Sequence, residues 1–211
     1  VATAFVKAVY EAGDWIRADP IKAVDLMEKW TGVEKEVLYI YFSEGGHLTL
    51  DPTIKSKWID ALAFNHGVLV KEKAIPPLDF DEWVTEEYVQ AAYKDLGKSY
   101  KDEKNAMVDP ALANASLPME IWHSREGISA YKTIEDLLAA IDGFRKTGAK
   151  LNATYVYDKE TGLKLFGKTA FYVLTDSGFE TFLRKPDADA FAAAAKGKVM
   201  DYEAALATLG S

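Results

Sequence analysis

The chain has 211 residues, 49% of them hydrophobic and 27% charged. That is enough apolar material to build a core in one large or two small domains, and it excludes a disordered chain. A net charge of −8, with Lys and Arg scattered singly rather than gathered in a basic stripe, argues against a nucleic-acid partner, and the lack of cysteine removes disulfides, thiolate metal sites and cysteine nucleophiles.

Residues 1–97 keep a three-to-four apolar rhythm and predict helix after helix, with no period-two stretch. Phe5, Val9, Ala12 and Ile16 mark the face of the first helix. Asp19-Pro20 starts a second, with Asp19 as N-cap, and Gly32 ends it in a left-handed conformation. A third covers about 34–42 and is followed by the loop Ser43-Glu44-Gly45-Gly46-His47. Asp51-Pro52 repeats the start signal for a helix with Ile54, Trp58, Ala61 and Leu62 on its face and Gly67 as its stop. Ile75-Pro76-Pro77 breaks the chain, Phe80–Trp83 forms a short turn, and a further helix opens near Thr85 and ends at Gly97. Most aromatic residues of this half are expected in the core, with a minority lining a cleft.

Residues 98–118 are predicted as a linker, with one short helix from Asp109-Pro110. The sequon Asn114-Ala115-Ser116 lies there too. At Met119 the rhythm changes to two. Met119, Ile121 and His123 alternate with Glu120 and Trp122. A turn at Arg125-Glu126-Gly127 leads to a return strand, Ile128–Tyr131. Thr133 caps a helix whose core face is Ile134, Leu137, Leu138 and Ile141. Further strands are predicted at 150–157, 163–166, 169–174 and 179–184. An Ala-rich helix follows, ended by Gly197, then a short extended piece at 198–200 and a last helix at 202–209. Strand, break and helix recur at 129–141 and at 181–194, a faint internal repeat.

The chemistry-bearing motifs of enzymes are missing: no Gly-x-Ser-x-Gly, no phosphate-binding loop and no dinucleotide fingerprint occurs. No histidine stands at metal-ligand spacing from another, and no carboxylate pair stands out as catalytic. The expectation is a protein that is not an enzyme. His47, after two glycines that let backbone approach a ligand closely, and Tyr41 before it are the ligand-binding candidates. His123 shares a strand face with Met119, and imidazole with thioether is a soft donor pair for Cu(I). The competing reading has Met119 filling the core and His123 at the strand end in solvent. His66, next to Gly67, reads as a residue placed at the negative end of a helix dipole.

Two resemblances add to this. Phe5-Val6-Lys7-Ala8-Val9, the run Ala12 to Pro20, and Lys29-Trp30-Thr31-Gly32-Val33 resemble the C-terminal helical part of periplasmic solute-binding proteins of ABC importers, in the nitrate/sulfonate/taurine class. Gly67-Val68-Leu69 and the run Leu78 to Val84 resemble its usual ending. The resemblance implies an extracytoplasmic protein, lipid-anchored in some full-length forms, that works with a membrane permease and a small anionic solute. Tyr155 to Gly162, Lys168 to Val173, Asp187 to Ala192 and Gly197 to Met200 resemble the NosL family, associated with copper delivery to nitrous oxide reductase. The family's Cys-containing segment has no counterpart here, and Ser177-Gly178 stands where the family has Met-Gly. No bound cofactor is therefore expected, with Cu(I) as the ion to try at Met119 and His123.

The combined expectation is an α+β chain: a helical part over 1–97, a linker over 98–118, and over 119–211 a NosL-like α+β domain with two strand–strand–helix units. The function expected is that of a solute-binding component of an ABC transporter, with a copper-handling accessory protein as the alternative. The chain opens at Val1 directly in helical pattern, which reads as a piece of a longer protein whose export signal has been removed.

Overall fold

The structure, a computed structural model, describes residues 1–48, 51–106, 116–123 and 127–209. The predicted Asp109-Pro110 helix, Asn114 and Ala115 of the sequon, and Arg125 and Glu126 of the turn lie outside those residues.

The chain is α+β. In order it forms α1 (Ala2–Ala18), α2 (Pro20–Thr31), α3 (Lys35–Phe42), α4 (Ser56–Lys71), α5 (Phe80–Trp83), α6 (Glu87–Asp95) and α7 (Tyr100–Asn105). Then come β1 (Met119–His123), β2 (Gly127–Tyr131), α8 (Ile134–Lys146), β3 (Leu151–Tyr157), β4 (Lys164–Phe166), a 3₁₀ turn (Gly167–Thr169), β5 (Phe171–Thr175), β6 (Gly178–Phe182), α9 (Lys185–Ala195), β7 (Lys198–Met200) and α10 (Tyr202–Ala207). These elements fall into two compact units. One comprises Val1–Ala18 and Thr49–Met107; the other comprises Asp19–Leu48 and Val108–Ser211. Among the described residues, no helix is long and apolar enough to cross a membrane.

The first unit is all-helical. Its core is aromatic: Tyr10 of α1 meets Tyr93 of α6 edge-on at 5.4 Å, and Tyr93 meets Tyr100 of α7 at the same distance. Val6, Ile54, Val89 and Leu96 fill in around them. Glu103 accepts hydrogen bonds from the Tyr93 hydroxyl at 2.9 Å and the Tyr10 hydroxyl at 3.4 Å. The buried ammonium of Lys55 sits at the end of α7, donating to the carbonyls of Glu103 and Ala106, where the negative end of the helix dipole favours a cation.

Four expectations for this unit change. The buried positions of α1 are Tyr10, Gly13 and Ile16, while Phe5 is 70% exposed, because the large Tyr10 ring sets which side faces α6. Asp51-Pro52 starts a turn rather than a helix: the Asp51 carboxylate accepts from the Thr53 amide, and α4 begins at Ser56. Gly67 does not stop α4, which runs on to Lys71. The stop falls at Lys73, whose φ of 56° reverses the chain so that the Ala74 amide bonds the Leu69 carbonyl. The polar stretch after Gly97, read as linker, contains α7, capped by the Ser99 hydroxyl.

The second unit repeats one topology. β1–β2–α8–β3 and β5–β6–α9–β7 are each a hairpin, a helix and a returning strand. All pairings are antiparallel, giving sheet orders β2-β1-β3-β4 and β6-β5-β7. The Thr133 hydroxyl caps α8 as predicted, and Ile134, Leu137, Leu138 and Ile141 are all buried. At the end of α9 the left-handed residue is Lys196 rather than Gly197. Gly197 is needed for room, since a Cβ there would stand 2.8 Å from the Leu174 carbonyl.

The four-stranded sheet is covered on both faces. Ile121, Val156 and Leu165 point into a core shared with α8, α10 and the three-stranded sheet. Trp122, Ala153 and Tyr155 point the other way, onto Val24 of α2 and Leu38 and Tyr39 of α3. The segment 19–48, helical by rhythm, thus packs with the strands. α9 covers the far face of the smaller sheet through Val173, Phe182, Ala188 and Ala192. Asp158, buried at the end of β3, joins the two repeats: its carboxylate accepts from the Thr161 amide at 3.0 Å and from the Leu183 amide, past β6, at 2.8 Å.

Candidate functional site

α3 ends at Phe42, and the loop after it folds straight back over its last carbonyls. The amides of Gly46, His47 and Leu48 bond the carbonyls of Ser43, Ile40 and Tyr41 at 2.9, 3.0 and 2.9 Å. A side chain at Gly46 would stand 2.6 to 2.8 Å from the same three carbonyl oxygens, so the turn requires glycine. It brings the His47 ring edge-on to Tyr41, with centroids 5.5 Å apart. Nε2 of His47 lies 2.6 Å from the carbonyl oxygen of Lys164 in β4. A carbonyl only accepts, so Nε2 carries the hydrogen and donates.

Tyr41 and His47, the two ligand-binding candidates of the sequence, thus both line one cavity of about 250 Å³. Its walls are Val37, Ile40, Leu165, Phe166, Ala170 and Leu183, and Thr169 adds a hydroxyl.

Behind β4 lies a cluster that sequence reasoning missed. The side chain of Lys164 is 1% exposed, and its Nζ donates to Glu120 Oε2 at 2.7 Å and to Ser43 Oγ at 2.8 Å. The ammonium also lies 4.9, 5.7 and 5.5 Å from the ring centres of Tyr39, Tyr155 and Tyr157. The Tyr39 hydroxyl donates to the other Glu120 oxygen at 3.0 Å. Burial holds the lysine below its usual pKa although Glu120 pulls the other way, and burial pushes all three phenols up. Lys164 grips the 43–47 loop at two points, through its ammonium at Ser43 and its carbonyl at His47. A sequence signal existed: Lys164 and Glu120 each stand two residues from a large aromatic, Phe166 and Trp122, and so share the face of the sheet that α2 and α3 cover.

Met119 and His123 share a face of β1 but are not brought together. They are four residue steps apart along the strand, about 13 Å at 3.3 Å per residue, and the buried Ile121 stands between. Met119 packs against the core. His123 is not in solvent at a strand end but 5% exposed: its Nε2 bonds the Ser129 hydroxyl at 2.8 Å and its ring lies 5.1 Å from Phe144. Among the described residues, no group of three or more His, Cys, Asp or Glu is placed to hold a metal ion. His66 lies inside α4 rather than at its end, with Nε2 3.1 Å from the Pro76 carbonyl and its ring edge-on to Phe80.

No protein-family model and no curated protein matches the chain. Among solved structures, it is similar to the copper chaperone NosL from Shewanella denitrificans, at 18% identity and a TM-score of 0.34, over 42% of this chain and 79% of that one.

Proposed function

We propose that this chain is a non-catalytic binding protein whose ligand seat is the cavity where Tyr41 and His47 meet. The carrying observation is their pairing in the lining of one cavity, with His47 held by the Lys164 carbonyl. A concave, mostly apolar space with a few oriented polar groups is the usual form of a small-molecule site. The test is heteronuclear NMR on the whole chain against single-ring compounds, small oxyanions and Cu(I), with Tyr41→Ala and His47→Ala as controls. Shifts confined to the cavity residues and lost in both variants are the expected result. Saturable binding that ignores both substitutions sinks the seat.

The finer assignment is an extracytoplasmic solute-binding component of an ABC transporter, acting with a membrane permease. It is supported by the resemblance of residues 2–97. Binding of nitrate, a sulfonate or taurine by the full-length protein is its direct test. Copper handling is the second reading, supported by the resemblance of residues 119–207 and by two soft donors on β1. With Met119 and His123 so far apart, Cu(I) binding in this reading depends on one of them alone or on a rearranged strand. Cu(I) binding abolished by Met119→Ala or His123→Ala favours it, and no Cu(I) binding removes it.

A further inference from the structure

The cavity's lining also says what kind of molecule it takes, and this step rests on reading that cavity as the ligand seat. Charge is the first filter. Lys164 is the one cation among the lining residues, and its ammonium points away into Glu120, Ser43 and the tyrosine rings. An anion entering the cavity would leave water without meeting an opposite charge. Size is the second filter. An apolar cavity of about 150 Å³ accepts benzene, so about 250 Å³ suits a single ring with one or two substituents.

The third filter is hydrogen-bond direction. Nε2 of His47 donates to the Lys164 carbonyl, so in the neutral imidazole the other nitrogen, Nδ1, is an acceptor and only that. The Thr169 hydroxyl donates to the Phe166 carbonyl at 3.1 Å, which leaves its oxygen as an acceptor as well. Two polar groups of the lining, one from the 43–47 loop and one from the 3₁₀ turn, therefore ask for a donor; the Tyr41 hydroxyl can donate or accept and so sets no direction, and apart from Lys164 the rest of the wall is apolar. We propose that the cavity selects an uncharged, single-ring-sized molecule that donates one hydrogen bond, with His47 Nδ1 as the acceptor. The backbone of Lys164 acts as the positioning group that fixes the His47 tautomer. A hydroxyl or ring N–H meets this description; a carboxylate, sulfonate or plain hydrocarbon does not.

Phenol, toluene and benzoate have nearly one shape and differ in the property at issue. Titrated into the whole chain, phenol is expected to bind about five- to tenfold more tightly than toluene, the worth of one net hydrogen bond, and benzoate most weakly. His47→Phe is expected to abolish the phenol preference while toluene still binds. In the unsubstituted chain, phenol but not toluene is expected to shift the His47 Nδ1 nitrogen resonance, a readout that does not depend on the variant folding. Toluene or benzoate binding in the cavity as tightly as phenol overturns the donor rule and leaves the seat standing. If none of the three perturbs the cavity residues, the seat falls and the donor rule with it.

Discussion

Nζ of Lys164 lies 2.7 Å from Oε2 of Glu120, at the centre of the face that α3 lays on the four-stranded sheet. Taking both charges out of water is costly, and their attraction offsets that cost only because Ser43 and Tyr39 complete the hydrogen bonding. Removing one partner should therefore hurt more than removing both. Glu120→Ala is expected to lose about 3–5 kcal/mol, since it strands a buried ammonium. Lys164→Met alone should also destabilise the fold, by leaving Glu120 unpaired. Glu120→Ala combined with Lys164→Met should cost clearly less than the two single losses added. Urea denaturation of the three variants checks this, and strict additivity would contradict it.

The turn at Gly46 ties fold to site. Gly46→Ala puts a methyl group against three carbonyl oxygens at 2.6 to 2.8 Å, all backbone with little room to move. Opening the turn breaks the amide bonds of His47 and Leu48 to α3 and carries the imidazole away from Lys164. The expected result is at least tenfold weaker binding of any cavity ligand, with a loss of stability of about 1–3 kcal/mol. Calorimetric titration beside thermal melting separates the two effects. Unchanged affinity would mean that His47 does not need the turn.

How much of this was legible depended on range. α8 could be read residue by residue, because Ile134, Leu137, Leu138 and Ile141 repeat at helical spacing behind a Thr133 cap and every partner is local. The placement of α2 and α3 could not: apolar rhythm tells that a helix has a buried side, not what covers it. The clue sat about 115 residues away in β3, where Ala153, Thr154, Tyr155 and Val156 are all buried and polar–apolar alternation fails, the mark of a strand covered twice. At the site, the glycine pair marked the loop that carries His47. Lys164 and Glu120 were passed over because a lone charge on a strand usually faces water. Gly67 does not end α4 because glycine inside a helix costs only about 1 kcal/mol and does not compel a stop.

Asp158 gives a test of the joint between the two repeats. Its carboxylate is 3% exposed and accepts from Thr161 at both amide and hydroxyl and from the Leu183 amide. Asp158→Ala leaves those donors without a partner and should cost about 2–4 kcal/mol. Asp158→Asn keeps one acceptor oxygen and should cost less. Hydrogen exchange should locate the damage at 158–163 and 181–184, with α8 protected as before. Faster exchange in α8 at the same denaturant concentration would show that the joint is not local.

Raised pH should unfold this protein through its tyrosines. Burial raises the phenol pKa of Tyr39, Tyr93, Tyr155, Tyr157 and Tyr172, with Glu120, Glu36, Glu44 and Glu103 adding negative charge near one or another of them, and Tyr100 is pushed up to about 12. Each phenol holds its proton more tightly in the folded chain than in the unfolded one, where it titrates near pH 10. Their contribution is complete below about pH 10 and is lost as pH climbs through the raised folded values, because there the folded state binds more protons than the unfolded. Lys164 works against this: its depressed value means the folded state gives up that proton first, which adds stability on the way towards pH 10.5. One lysine set against several phenols leaves the balance falling. The tyrosinate absorbance of these buried rings should therefore rise late, together with the loss of circular dichroism, above pH 10. Early ionisation of most tyrosines with the fold intact would mean that these rings reach water far more freely than their burial implies.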